Sequence, residues 1–229
     1  MSHAKPLDHC RLFMNEAELV LDASGALWWP AEKTLVVADL HFEKGSAYAR
    51  SGQFLPPYDT CATIRRLETL LARYHAERVI ALGDSFHDSG AGARLDEEEC
   101  AALSDLTRRY EFTWVEGNHD PDPPAWLGGH IRREMMIGTL MFRHIPGEAG
   151  IMGEVAGHLH PAVRVSRGGV SVRRRCFVSD GRRLLLPAFG AYTGGLDVRD
   201  EAVTSLFSRG HSIYALGKER AYLVKSIAA

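Results

Sequence analysis

The chain has 229 residues, a formal net charge of -2, and 45% hydrophobic and 24% charged residues, the balance of an ordinary globular protein. No run approaches the ~18 apolar residues of a membrane-spanning helix. The near-neutral charge supplies no global field toward nucleic acid or an anionic membrane, so any attraction to a polyanion has to come from a local patch.

The start of the chain is charged at Lys5, Asp8, Arg11, Glu16 and Glu18 and lacks the apolar stretch of a signal peptide. Cys10, Cys61, Cys100 and Cys176 are scattered without a C-x-x-C pair. That spacing argues against a disulfide framework and a structural zinc knuckle, and for neutral thiols in a reducing compartment. The expected location is the cytoplasm. With no internal repeat, low-complexity stretch or linker, residues 1–229 are expected to form a single domain.

Three short apolar runs, TLVVA at 34–38, RVIAL at 78–82 and FTWV at 112–115, each end in a polar cluster and read as strands buried on both faces. Between the first two, Ile64, Leu67, Leu70, Leu71 and Tyr74 recur at helical spacing after the start signal Pro56-Pro57. A second helix is predicted over 95–109, with Leu103 and Leu106 facing inward. The resulting β-α-β-α-β order predicts parallel strands with crossover helices. Beyond Ile131 the pattern changes to shorter strands at 139–142, 154–156, 163–165, 175–178 and 184–186, with a hairpin signal at Ser179-Asp180-Gly181. A late helix is predicted over 197–207. The expected architecture is α/β, with two packed mixed β-sheets flanked by helices.

Ligands in open α/β sheets gather beyond the carboxyl ends of the strands. Those ends carry Asp39 and His41 (ADLH), Asp84 (LGDSFHD), and Asn118 and His119 (EGNHD), followed by His144 (FRHIPG) and by His158 and His160 (GHLHP). Alternation along an extended strand would bring Asp39 with His41, and His158 with His160, to one side. One such residue after a strand is usually a turn or capping residue. Several independent strand ends bearing ligands together point to a shared metal site. Carboxylates, imidazoles and an amide oxygen, with no thiolate, suit manganese, iron or zinc. Two such ions can clamp an in-line displacement at phosphorus, and Asp84, standing alone between the other groups, is the natural bridge.

The ordered set D-x-H, G-D, G-N-H-D, H and G-H-x-H, spanning Asp39 to His160, resembles the calcineurin-like metallophosphoesterase superfamily. The resemblance implies a four-layer α/β/β/α sandwich and two divalent metal ions, manganese first and iron or zinc as alternatives. It assigns Asp39, His41 and His160 to one ion, Asn118, His144 and His158 to the other, and Asp84 to both. It makes His119 an unligated histidine beside the leaving group, oriented by Asp120 or Asp84. VVADLHFEKG and LLLPAFGAYTGGLDV are similar to the bacterial ligase-associated DNA damage response endonuclease (PdeM-like) family. That likeness implies a role in DNA repair beside a DNA ligase and a helicase.

The expected reaction is hydrolysis of a phosphate ester by a metal-bridging hydroxide, with His119 as the acid. The competing readings are a phosphomonoesterase, a protein phosphatase, a dinucleotide polyphosphate hydrolase and a scaffold without catalysis; the complete ligand set weighs against the last. Arg164, Arg167, Arg173, Arg174, Arg175, Arg182 and Arg183 cluster around the late hairpin. Alternation puts Arg173 and Arg175 on one face, either as a basic ledge for DNA or as protection of an edge strand.

Overall fold

The chain enters the fold through three antiparallel strands, β1 (Cys10–Met14), β2 (Ala17–Leu21) and β3 (Leu27–Trp29). The computed structural model describes residues 10–228 apart from 121, 122 and 149, so the charged residues of the start before Cys10 lie outside the described residues. The three strands were not anticipated from the sequence. They are too short, and β2 and β3 too fully buried, for a two-residue period to show.

The alternating pattern then follows as read. The strand β4 (Thr34–Ala38) leads to α1 (Lys44–Arg50) and α2 (Asp59–Tyr74), then to β5 (Arg78–Leu82), α3 (Glu97–Arg109), β6 (Glu111–Val115) and β7 (His130–Arg132). A capping box starts α3: Asp96 accepts from the Glu99 N–H at 2.8 Å, and Glu99 accepts from the Asp96 N–H at 3.3 Å. Its first turn is acidic and its last basic, in the sense that the helix dipole favours. The first sheet runs in chain order from β1 to β7, antiparallel as far as the β3–β4 pair and parallel from β4 onward.

The second sheet contains β8 (Glu134–Ile137), β9 (Leu140–Arg143), β10 (Glu154–Ala156), β11 (Pro161–Arg167), β12 (Val170–Ser179), β13 (Arg183–Leu185), β14 (Leu196–Asp197), β15 (Gly210–Leu216) and β16 (Ala221–Ala228). Its order is β14-β11-β12-β13-β10-β9-β8, with β15 also pairing β12 and β16. The Ser179-Asp180-Gly181 signal marks the antiparallel turn from β12 to β13. Both sheets are mixed, as expected.

Two cores hold these layers together. Leu35, Val37, Val79, Ala81, Phe112 and Trp114 project from the first sheet onto Ile64, Leu67, Leu71, Leu103 and Leu106 of α2 and α3. The intervening positions, Val36, Ala38, Ile80, Leu82 and Val115, face the second sheet and meet Leu140, Phe142, Val155, Phe177 and Leu184. Strands buried on both faces explain why these runs are apolar without alternation.

The late helix differs from expectation. Only α4 (Glu201–Thr204), one turn, forms between 197 and 207. Asp200 caps it, and the segment covers the outer face of the second sheet through Val198, Val203 and Phe207. The fourth layer is therefore mostly irregular chain pinned by apolar side chains, since so short a helix gains little from its own hydrogen bonds.

The late arginines also divide. Arg183 is buried, ion-pairs with the buried Glu154 and donates to the carbonyls of Gly147 and Glu148 at 2.8 and 2.6 Å. Arg175 donates to the Ala188 carbonyl at 2.7 Å, and Arg173 to that of Gly195. Arg173 and Arg175 share a face as predicted; Arg175 is drawn in to fasten the 187–196 loop, while Arg173 stays exposed at its edge. The side chain of Arg167 lies outside the described residues.

Phe177 is fully buried at the centre of the inter-sheet core. Phe177→Ala is expected to destabilise the protein by about 3–5 kcal/mol, read by chemical denaturation. A loss below about 1 kcal/mol would mean that the sheets close over the cavity.

Candidate metal centre

Each donor stands just past the end of a strand. Asp39 and His41 follow β4, Asp84 follows β5, Asn118 follows β6, His144 follows β9, and His158 and His160 follow β10. The reason for the paired spacing differs from expectation. Asp39, His41, Asp84, His158 and His160 all have positive φ, at 54°, 46°, 45°, 69° and 45°. They are left-handed residues, not alternate positions of an extended strand. Such backbone costs of order 1–3 kcal/mol per residue, which Asp and His tolerate better than most residue types.

Their side chains form two clusters, Asp39 with His41 and His160, and Asp84 with His144 and His158, each with its donor atoms within 4.8 Å of one another. In the first, His160 Nε2 lies 3.1 Å from Asp39 Oδ1 and 3.3 Å from His41 Nε2. In the second, His144 Nε2 lies 3.3 Å from Asp84 Oδ1, 3.2 Å from His158 Nδ1 and 2.9 Å from Asn118 Oδ1. Asn118, named with the second set from its motif, is thus brought to it. The Nδ1 of His144 is held by the Leu82 carbonyl at 2.9 Å, which leaves Nε2 to face the cluster.

The electrostatics fit a pair of divalent cations. Asp39 and Asp84 are buried, and among the described residues no lysine or arginine forms an ion pair with either. Burial, followed by the charge of His160, pushes His41 down to about 2. Burial would raise Asp84, but hydrogen bonding and charge from His144 hold it below the usual carboxylate range. Burial also opposes charge on His144, yet the Asp84 hydrogen bond and Asp39 raise its pKa. Carboxylate oxygens and imidazole lone pairs thus converge on two points that call for positive charge.

The backbone clears space for this convergence. A Cβ on Gly117 would stand 2.1 Å from the Asp84 nitrogen, and one on Gly83 2.4 Å from the His144 ring. Behind Asp39, the 187–196 loop donates from Phe189 N to the Ala38 carbonyl at 2.7 Å and from Gly190 N to the Asp39 carbonyl at 3.1 Å. That loop is a backbone support for the first cluster.

At the mouth, His119 is 47% exposed, with Nε2 3.9 Å from Asp84 Oδ2, and its N–H donates to Asp84 Oδ1 at 2.9 Å. No hydrogen bond joins Asp120 to His119 among the described residues. Asp120 accepts instead from the Phe86 N–H at 2.9 Å, and burial pushes its pKa up to about 7. Of the two carboxylates offered for orienting His119, Asp84 is the one in place. His87 lies between Tyr48 and His119, its ring 6.1 and 5.8 Å from theirs and nearly parallel to both. Asp88 accepts from Gly90 N and pairs with Arg94, a structural role. Glu43 is buried against Thr60, while Lys44 stands at the rim. Sequence reading missed Tyr48, which lies on the short helix α1, and the tight fit of Gly117. A cavity of about 460 Å³ opens beside Asn118 and His144, with Arg133 and Glu116 in its wall.

Gly117→Ala is expected to cost about 1–3 kcal/mol and to lower metal content, because the added methyl displaces Asp84. Denaturation and elemental analysis of the purified variant test this; an unchanged midpoint and metal load would refute the tight fit.

No protein-family model matches the sequence, and no curated protein matches it. Among solved structures, the chain is similar to the Pseudomonas putida nuclease MPE at 30% identity and a TM-score of 0.73, over 95% of this chain and 100% of that one. It is more distantly similar to AQ665, a protein of unknown function from Aquifex aeolicus, at 16% identity over 59% of this chain and 81% of that one (TM-score 0.41). It is also similar to Yfce, a phosphoesterase from E. coli, at 13% identity over 85% and 98% of the two chains (TM-score 0.40). With two Asp/His clusters at the strand ends and near full-length likeness to that nuclease, the chain belongs to the metallophosphoesterase family of Pseudomonas putida MPE, hydrolases that act on phosphate ester bonds.

Proposed function

We propose that this chain is a dinuclear, metal-dependent phosphodiesterase that cleaves nucleic acid, with manganese as its metal and DNA repair as its setting. The observation that carries the reading is the pair of adjacent Asp/His clusters in a fold similar to that of a nuclease along its whole length. The repair setting, with a DNA ligase and a helicase as partners, is supported by the VVADLHFEKG and LLLPAFGAYTGGLDV segments. Manganese is supported by donors that are oxygens and imidazoles without thiolate. Residues 1–229 would act as one domain.

In this reading Asp39, His41 and His160 hold one cation, and Asn118, His144 and His158 the other. Asp84 lies between them. Two bound cations supply Lewis-acid stabilisation of the phosphoryl oxygens and lower the pKa of water. The chain's own residues do the rest. Asp39 and Asp84 fix the anionic side of the site by burial. Leu82 and the 187–196 loop hold His144 and Asp39 in place through the backbone. His119, half exposed beside Asp84, is positioned to pass a proton from its ring to the departing oxygen. Asp120 serves by bracing the segment after Asp84.

The direct test is hydrolysis of an aryl phosphodiester, an aryl phosphomonoester and a DNA oligonucleotide by the metal-depleted protein with manganese, iron or zinc added back. Diester and DNA cleavage restored best by manganese is the expected result. Cleavage confined to the monoester, or turnover that survives chelation, would refute the reading. His119→Ala should retain its metals and lose about 10²–10⁴-fold in kcat on a substrate with a poor leaving group. It should lose far less on a nitrophenyl ester, whose leaving group needs no proton. Equal losses on both would remove His119 from the acid role.

A further inference from the structure

Several charged side chains beside the His41 side of the metal centre are already matched. Arg94 pairs with Asp88 at 2.8 Å and donates to Ser46 at 2.8 Å. Asp59 accepts from the Gly45 N–H at 2.9 Å, and Glu43 from Thr60 at 2.9 Å. Lys44, in the midst of these groups, has no ion-pair or hydrogen-bond partner among the described residues. Its ammonium lies 5.9 Å from the centre of the Tyr48 ring.

The position is informative. Tyr48 stacks on His87, and His87 lies 5.5 Å from His41 and 5.8 Å from His119, ring centre to ring centre. Lys44 therefore stands on the side of the centre where the departing group would leave. It is half-buried, and burial lowers its pKa while Asp59, Asp39 and Asp84 act in the opposite direction. An ammonium partly removed from water without a partner is costly unless an anion arrives to meet it. Exposed lysines elsewhere need no such partner, and Lys33, for comparison, already has Glu77.

We propose that Lys44 is a substrate-binding residue whose ammonium receives a phosphate oxygen of the ester at the metal centre. The inference rests on the phosphoesterase reading and adds to it a contact made by the protein itself. The ammonium lies beside the Tyr48 ring, which stacks on His87, and His87 stacks in turn on His119 at the mouth.

Two measurements test this, one of them independent of turnover. In the metal-loaded protein, an amine-acylating reagent at limiting dose should label Lys44, and added inorganic phosphate should suppress that labelling. Lys33 and Lys218 serve as internal controls, all three read by peptide mass spectrometry. In steady state, Lys44→Gln should raise KM for an aryl phosphodiester by about tenfold to a hundredfold with a much smaller change in kcat. Lys44→Arg, which keeps the charge, should recover part of the loss. Equal labelling with and without phosphate would overturn the proposal, as would an unchanged KM in Lys44→Gln. If the unaltered protein cleaves no phosphodiester, the phosphoesterase reading fails by itself, and the labelling still decides whether Lys44 meets an anion.

Discussion

Asp39 and Asp84 are buried carboxylates surrounded by imidazoles, without a lysine or arginine in ion-pair contact among the described residues. Burying such charge is expensive unless it is matched, and the surrounding structure is arranged around the match. Five donors adopt left-handed backbone so that their side chains turn back over the strand ends. Gly83 and Gly117 carry no side chain because His144 and Asp84 already occupy that space. The Leu82 carbonyl orients His144, and the 187–196 loop holds Asp39 from behind. That loop is fastened in turn by Arg175, and by Arg66 stacked 4.0 Å from the Phe189 ring. Part of what looked like a basic surface in the sequence is thus committed to the interior.

The parallel half of the first sheet was legible because its strands bury both faces and its helices one, so periodicity and composition agree. The donors were legible because polar residues at the ends of such strands have few other reasons to be aspartate and histidine. The geometry of the pairs was not. D-x-H and H-x-H fit an extended strand as well as two left-handed turns, and only the backbone angles tell them apart. β1 to β3 escaped notice because short buried strands carry no period. The predicted helix over 197–207 had apolar residues in suitable places, but they serve to cover a sheet face and need only one helical turn to do so.

Residue type alone also misled for the arginines. Arg164 and Arg174 are exposed, whereas Arg175 and Arg183 are drawn inward by carbonyls and by Glu154. A guanidinium carries five donors, so it can satisfy several carbonyls at once, and Arg183 does this for the loop between β9 and β10. That loop begins at His144. The buried ion pair therefore contributes to the centre at a distance, by fixing the chain from which a donor projects.

The first sheet is laid down in the same order as the chain, β1 to β7, each strand beside its predecessor. Each strand pairs with one already made, so this half can be completed while the remainder is being synthesised. It carries Asp39, His41, Asp84 and Asn118, whereas His144, His158 and His160 come with the second sheet. Neither half owns a complete coordination set. Cations captured by the finished centre would therefore act as rivets between the two sheets, and a nascent chain that has made only the first would hold half a site.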